Sequence, residues 1–193
     1  SGLPFEGRRP VAAPGKRRIY SNEGFDVLGE VLAGATGVSV VQWVRASVFE
    51  PLGMSSADIQ GSPAHAGLAS ADDLSLFGAE LARPTLVSAP LAALAGLSQF
   101  PALAGVVPGY GRFAPCPWGL GVEIRGEKSP HWTAPDASAR TIGHFGQSGS
   151  FVWADPDLGA SAVFVGAQPF GPWHHDNWAS LNASLLALAR ERS

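Results

Sequence analysis

Cysteine, methionine, lysine and tyrosine are all scarce in this chain of 193 residues, and each scarcity excludes something. Cys116 stands alone, so no internal disulfide can form, and its neighbours Pro115 and Pro117 bring no base to activate a thiol. Charge is thin as well, at 15% of residues with a net charge of −3. The densest basic cluster is Lys16-Arg17-Arg18, which excludes the basic stripe that a nucleic-acid partner requires. No run approaches the ~18 consecutive apolar residues of a membrane span. The stretch Ser1-Gly2-Leu3-Pro4-Phe5-Glu6-Gly7-Arg8 lacks the apolar core of a signal peptide; for a fragment this says nothing about export of the parent. His174-His175-Asp176 finds no third ligand at a suitable spacing, His65 and His131 included, so neither a metal nor another cofactor is expected.

What is abundant is apolar, at 46% of residues, enough for one good core in a chain of this length. Glycines and prolines make residues 1–19 an irregular lead-in. A helix is expected after Asn22 as N-cap, with Glu23 and Asp26 at its positive end and Phe25, Leu28 and Leu32 on one face, closed by Gly34 and Gly37. Ser39 and Gln42 have capping-box spacing, and the helix they open should run through Val40, Val44 and Val48 until Pro51 stops it. Another helix starts at Ser70 and carries Leu74, Phe77 and Leu81 towards Pro84. Residues 84–117 predict short helices and loops.

The period then changes from 3.6 to 2. Leu120, Val122 and Ile124 alternate with Gly121, Glu123 and Arg125, which predicts a half-buried strand. Strands are also expected at residues 150–153 and 160–165, joined through Asp155-Pro156-Asp157-Leu158-Gly159. A last helix, capped by Asp176 or Asn177, should put Trp178, Leu181, Leu185 and Leu188 on one face. The order predicts an α+β fold with an antiparallel sheet, residues 1–117 a mainly helical lobe and residues 118–193 the strands and final helix.

Three motifs narrow this further. Tyr20-Ser21-Asn22 is followed by Gly24-Phe25 and Leu28-Gly29; Pro51-Leu52-Gly53-Met54 closes the helical pair; Gly143-His144-Phe145-Gly146 enters a strand. Together they resemble the second and third motifs of the serine β-lactamase and penicillin-binding-protein superfamily, in its class C, D-alanyl-D-alanine carboxypeptidase and esterase branch. Ser1-Gly2-Leu3-Pro4 resembles a Thr-Ser-Gly-Leu-Pro turn of the same family, so the resemblance covers nearly the entire chain. The first motif, Ser-X-X-Lys, does not occur: the only lysines are Lys16 and Lys128, and three positions before them stand Ala13 and Arg125.

The resemblance implies a β-lactamase/transpeptidase-like fold, present here as a single incomplete domain. It implies acyl-enzyme chemistry on a small-molecule ester, amide or β-lactam, with Tyr20 and His144 catalytic and Asn22, Gly146 and Gln147 binding substrate. Tyr20 would share in proton transfer beside the absent lysine, because a phenol titrating near ~10 is a poor base without a cation nearby. Asn22 would offer its amide to the substrate carbonyl, His144 would set the local electrostatics, and the Gln147 N–H would supply one oxyanion donor. Phe145 replaces a Thr or Ser whose hydroxyl holds a substrate carboxylate, which favours a neutral ester or amide. Two rival nucleophiles are set aside: Ser148 sits in Gly-X-Ser-X-Ser followed by a strand rather than a helix, and Ser1 has only its own α-amine. The isolated chain is expected to be inactive, with an apolar trench that invites self-association. The alternative is a non-catalytic binding protein of the same fold.

Overall fold

The computed structural model describes residues 12–192. Helix α1 spans Asn22–Thr36, but its cap is Ser21, whose Oγ accepts the Gly24 N–H, and Asn22 is the first helical residue. Gly37, at φ 75°, closes it in the left-handed conformation that glycine adopts without steric cost. Helix α2, Val40–Val44, opens with the expected Ser39/Gln42 capping box. It continues as a π-helical turn, Arg45–Phe49, into α3, Glu50–Leu52. Pro51 therefore does not stop the helix. It sits in the first turn of α3, where its missing N–H is not needed, and Gly53 at φ 72° ends the element.

Two small hairpins form: β1 (Asp58–Ile59) with β2 (Gly67–Leu68), and β3 (Gly105–Val107) with β4 (Gly111–Phe113), the second within the stretch expected to hold short helices and loops. Between them lie α4 (Ala71–Ala82), capped by Ser70, and α5 (Ala89–Ala95). The main sheet is antiparallel, in the order β5 (Glu123–Ile124), β6 (Ile142–Phe145), β7 (Phe151–Asp155), β8 (Ala160–Phe164). Strand β5 is shorter than the alternation predicts. Gly121 at φ 85° turns the chain before it, and Glu123 and Ile124 are both buried. Helix α6 spans Pro172–Glu191, starting earlier than expected from Gly171, whose N–H is accepted by His174 Nδ1 at 3.1 Å. Its buried stripe is His174, Trp178, Asn182 and Leu186, while Leu188 is half exposed.

Register fixes which side chains share a face. Gly143 opposes Trp153 and Phe145 opposes Phe151, so these four point to one side of the sheet. That side is covered by α6: Trp178 meets Phe145 and Phe151 edge-on, and the Trp153 indole N–H donates to Asn182 Oδ1 at 2.7 Å. Ile142, His144, Val152 and Ala154 face the opposite way, and α4 packs over Ile142 and Ala154 with Ala82. Helix α4 approaches closely because Gly78 leaves room for Ser161, 3.0 Å from where a Cβ would stand.

Candidate active site

Tyr20 lies in the extended segment just before α1, and His144 is carried on β6 on the face away from α6. The fold brings these residues, 124 positions apart, into hydrogen-bonding contact: Tyr20 Oη stands 3.0 Å from His144 Nε2. Trp118, in the loop before β5, meets both rings edge-on, with centroids 6.2 Å from Tyr20 and 5.5 Å from His144. The Trp118 carbonyl accepts the Gln99 N–H at 2.7 Å, which fixes the loop at that point.

Burial controls the charge state of the pair. It pushes the Tyr20 phenol up, and the negative field of Glu123 adds to the effect. It also pushes His144 down, outweighing the opposite pull of Glu123. Both groups are therefore uncharged near neutral pH, and one proton is shared along the Oη–Nε2 line, donated by either side according to the tautomer. Nδ1 of His144 is buried and has no hydrogen-bond partner among the described residues. The cation that the resemblance places beside the phenol is not among the groups shifting it.

After β6 the chain turns through Gly146, Gln147, Ser148 and Gly149. Gly146 O accepts the Gly149 N–H at 3.0 Å, Gly146 N–H donates to Ser150 O at 2.9 Å, and Gln147 O accepts from Phe170 N–H. Among the described residues no acceptor is recorded for the Gln147 N–H. Gly146 stands just past the end of β6, two residues after His144. Ser148 is exposed in this strand–turn–strand connection, with no helix after it. Asn22 is exposed in the first turn of α1 and does not line the neighbouring cavity.

That cavity, of about 290 Å³, runs from Tyr20 along Phe25, Leu28, Val106 and Trp118. The cationic side chain among its described lining residues, Arg18, is already engaged: Nε donates to Cys116 O at 2.9 Å and Nη2 to Gln99 O at 2.5 Å. Phe145 is not part of this wall. Strand alternation turns it onto the α6 side, where it is buried at 5% exposure among Tyr110, Trp132, Phe170 and Trp178. The hydroxyl it replaces would point into the core, so Phe145 says little about the substrate.

A buried polar cluster lies on that core side. Glu123, expected on the solvent side of a strand, is 2% exposed. Its Oε1 accepts from Lys128 Nζ at 2.9 Å and from His131 Nε2 at 3.0 Å, and its Oε2 from the Trp132 indole N–H at 2.9 Å. Thr133 N–H donates to His131 Nδ1, so the imidazole carries its proton on Nε2. Burial alone would raise the Glu123 carboxyl; the His131 hydrogen bond and the Lys128 charge outweigh it and bring it down to about 2. Burial lowers His131 in spite of its hydrogen bond to Glu123.

These directions fix a pH dependence. A histidine lowered in the folded state contributes stability that is complete above its ordinary value of ~6.5 and is lost as pH falls through the folded value. His131 and His144 both act this way. Glu123 contributes above its ordinary 4.5 and loses that contribution as the pH nears 2. Melting temperature should therefore be level from about pH 7 to 8 and fall on acidification below ~6.5, then more steeply below ~4.5. A melting temperature that rises between pH 7 and pH 5 would contradict these assignments.

The family model for β-lactamases matches residues 5–187. A β-lactamase from Mycobacterium bovis is 43% identical, with a TM-score of 0.91 over 97% of this chain and 70% of its own. The chain belongs to the β-lactamase family. Within that fold it also resembles a penicillin-binding-protein homologue from Caulobacter crescentus, at 19% identity and TM-score 0.62 over 83% of this chain and 56% of that one. A hydrolase with promiscuous acyltransferase activity aligns at 18% identity and TM-score 0.70, over 90% of this chain and 57% of its own. No curated protein matches. The chain thus spans about two thirds of the M. bovis β-lactamase and little more than half of the other two.

Of the residues predicted from sequence, Tyr20 and His144 meet directly, and Gly146 and Gln147 follow on the same strand end. Trp118 is the tryptophan that meets both rings. Trp132 proves to be core at 1% exposure, and Trp173 lies exposed in α6. Glu123 was missed as a site neighbour. Its signal was a lone carboxylate between apolar residues, within eight residues of Lys128 and His131. No single described helix is long and apolar enough to cross a membrane.

Proposed function

We propose that this chain is the C-terminal part of a serine hydrolase that works through an acyl-enzyme on neutral esters or amides. The observation that carries the reading is the 3.0 Å contact between Tyr20 Oη and His144 Nε2 beside an apolar cavity. A serine and a lysine supplied from outside these 193 residues would complete the groove. The serine Oγ would attack the substrate carbonyl carbon while its proton passes through the phenol of Tyr20 to the leaving group. Water would then cleave the acyl-enzyme and return the proton. His144 would hold the phenol in place, the Gln147 N–H would receive the oxyanion, and Asn22, at the helix mouth, would meet the substrate amide or carbonyl.

A neutral substrate is favoured because Arg18 is already tied to two backbone carbonyls, leaving no open cation among the described residues of the cavity wall for a carboxylate. One structural neighbour is itself a hydrolase with promiscuous acyltransferase activity, and another is a penicillin-binding-protein homologue, so β-lactam and D-Ala-peptide substrates belong to the comparison. The half-exposed Phe25, Leu28 and Val31 on α1 support self-association when that face is uncovered.

Nitrophenyl-ester hydrolysis tests the assignment. The chain alone should be inactive, and adding a separately produced upstream segment that bears Ser-X-X-Lys should restore turnover. Ser148→Ala should leave the restored rate unchanged. Turnover by the isolated chain that Ser148→Ala abolishes would overturn the assignment. A parent protein with no Ser-X-X-Lys would make the chain a non-catalytic binding relative.

A further inference from the structure

We propose that Trp118 is a positioning residue that holds the Tyr20 hydroxyl on His144 Nε2 and covers the flank of the imidazole beside that contact. Three observations converge. Among the described residues the indole is the one ring that meets both partners: it lies edge-on to Tyr20 at 61° and to His144 at 63°, while Tyr20 and His144 are tilted 38° to each other at 5.6 Å. Edge-to-face contacts of this kind are directional, so one indole against two rings limits how either can turn. Trp118 is itself fixed by its backbone, with its carbonyl bonded to Gln99 N–H and a bridge pairing it with Glu123 at the start of β5. It also forms part of the wall of the cavity beside Tyr20, so it flanks the exposed hydrogen bond on that side.

Tyr20 needs such support. It is 43% exposed, and a phenol on an extended segment has two torsions with which to leave the imidazole. His144, by contrast, sits on a strand paired on both sides, and the titratable groups recorded as acting on it among the described residues are Tyr20 and the compensated carboxylate of Glu123. The imidazole is shielded from water, which lowers its proton affinity, and Trp118 is the large apolar side chain in contact with it on the cavity side. The effect on the pair is independent of chemistry; its value to catalysis rests on the hydrolase reading.

The histidine Cε1–Hε1 resonances of the 193-residue chain report this directly, with His144 assigned by its loss in His144→Asn. In the wild type His144 should titrate below the ordinary value of ~6.5. Trp118→Phe keeps a ring at the same place and should leave the midpoint within ~0.2 units, whereas Trp118→Ala should move it up by at least ~0.5 units as water enters. Trp118→Leu, which preserves bulk and protects the fold, should fall between them. An unmoved midpoint in the alanine variant, or in the leucine variant if alanine does not fold, overturns the proposal. In a complemented, active enzyme the acid limb of kcat/KM should shift with the midpoint. A moved midpoint in a protein that never hydrolyses esters would remove the hydrolase reading and leave the role of Trp118 standing.

Discussion

Glu123→Ala is expected to lower the stability of the folded chain by about 3–5 kcal/mol, the range for breaking a buried ion pair from one side. Lys128 and Glu123 have side chains only 1% and 2% exposed, so nothing but protein surrounds the ammonium once the carboxylate is gone. The His131 Nε2–H and the Trp132 indole N–H lose their acceptor in the same step. Lys128 keeps one bond, to the Ile124 carbonyl, but that group carries no full charge. For a chain of this size the loss should appear as a fall in melting temperature of roughly 6 to 20 °C. Glu123→Gln keeps an acceptor and should cost less. Pairing Glu123→Leu with Lys128→Met should recover much of the loss, because it removes both charges together. Denaturant unfolding of the four proteins is the measurement; an alanine variant within about 1 kcal/mol of wild type would show that the cluster is not the closed network described above.

Tyr20→Phe should reduce kcat/KM for a nitrophenyl ester by roughly 10²- to 10⁴-fold in the complemented enzyme, the range for a positioned acid–base group. The loss should fall mainly on kcat, because the proposed role of the hydroxyl lies in proton transfer rather than in holding the ester. Stability should hardly change, since the ring is 43% exposed and the substitution removes a single oxygen. A Tyr20→Phe enzyme with wild-type kcat would remove the phenol from the mechanism. His144→Ala should weaken activity as well, through loss of the partner that holds the phenol.

Most of the fold was legible because local chemistry and long-range packing agree. Ser39 with Gln42, Ser70 before α4, and the Asp155–Gly159 turn each fix an element boundary within a few residues. The errors share a cause: tertiary context decided what a local pattern left open. Pro51 could either end a helix or occupy a first turn, and only the π-helical turn before it made the second possible. Glu123 matched a half-buried strand until Lys128 and His131 folded over it. The same blindness applied to Phe145. Its position beside His144 was plain, yet which way it pointed depended on register with Phe151. The Tyr20–His144 meeting was legible only through resemblance, because no periodicity links residues so far apart. Trp118 carried no motif at all, and its neighbours became visible only in three dimensions.

The distance along the chain between Tyr20 and His144 has a consequence for how this protein can vary. Closing a loop of 124 residues is entropically expensive, but the cost grows only as the logarithm of length, about 0.6 kcal/mol for each doubling. Lengthening the connection around residues 60–66 should therefore barely affect whether the two rings meet. Shifting the pairing of β6 with β7 by one position would instead turn the imidazole towards the interior. Tolerance to insertion and intolerance to slippage are thus properties of the same hydrogen bond.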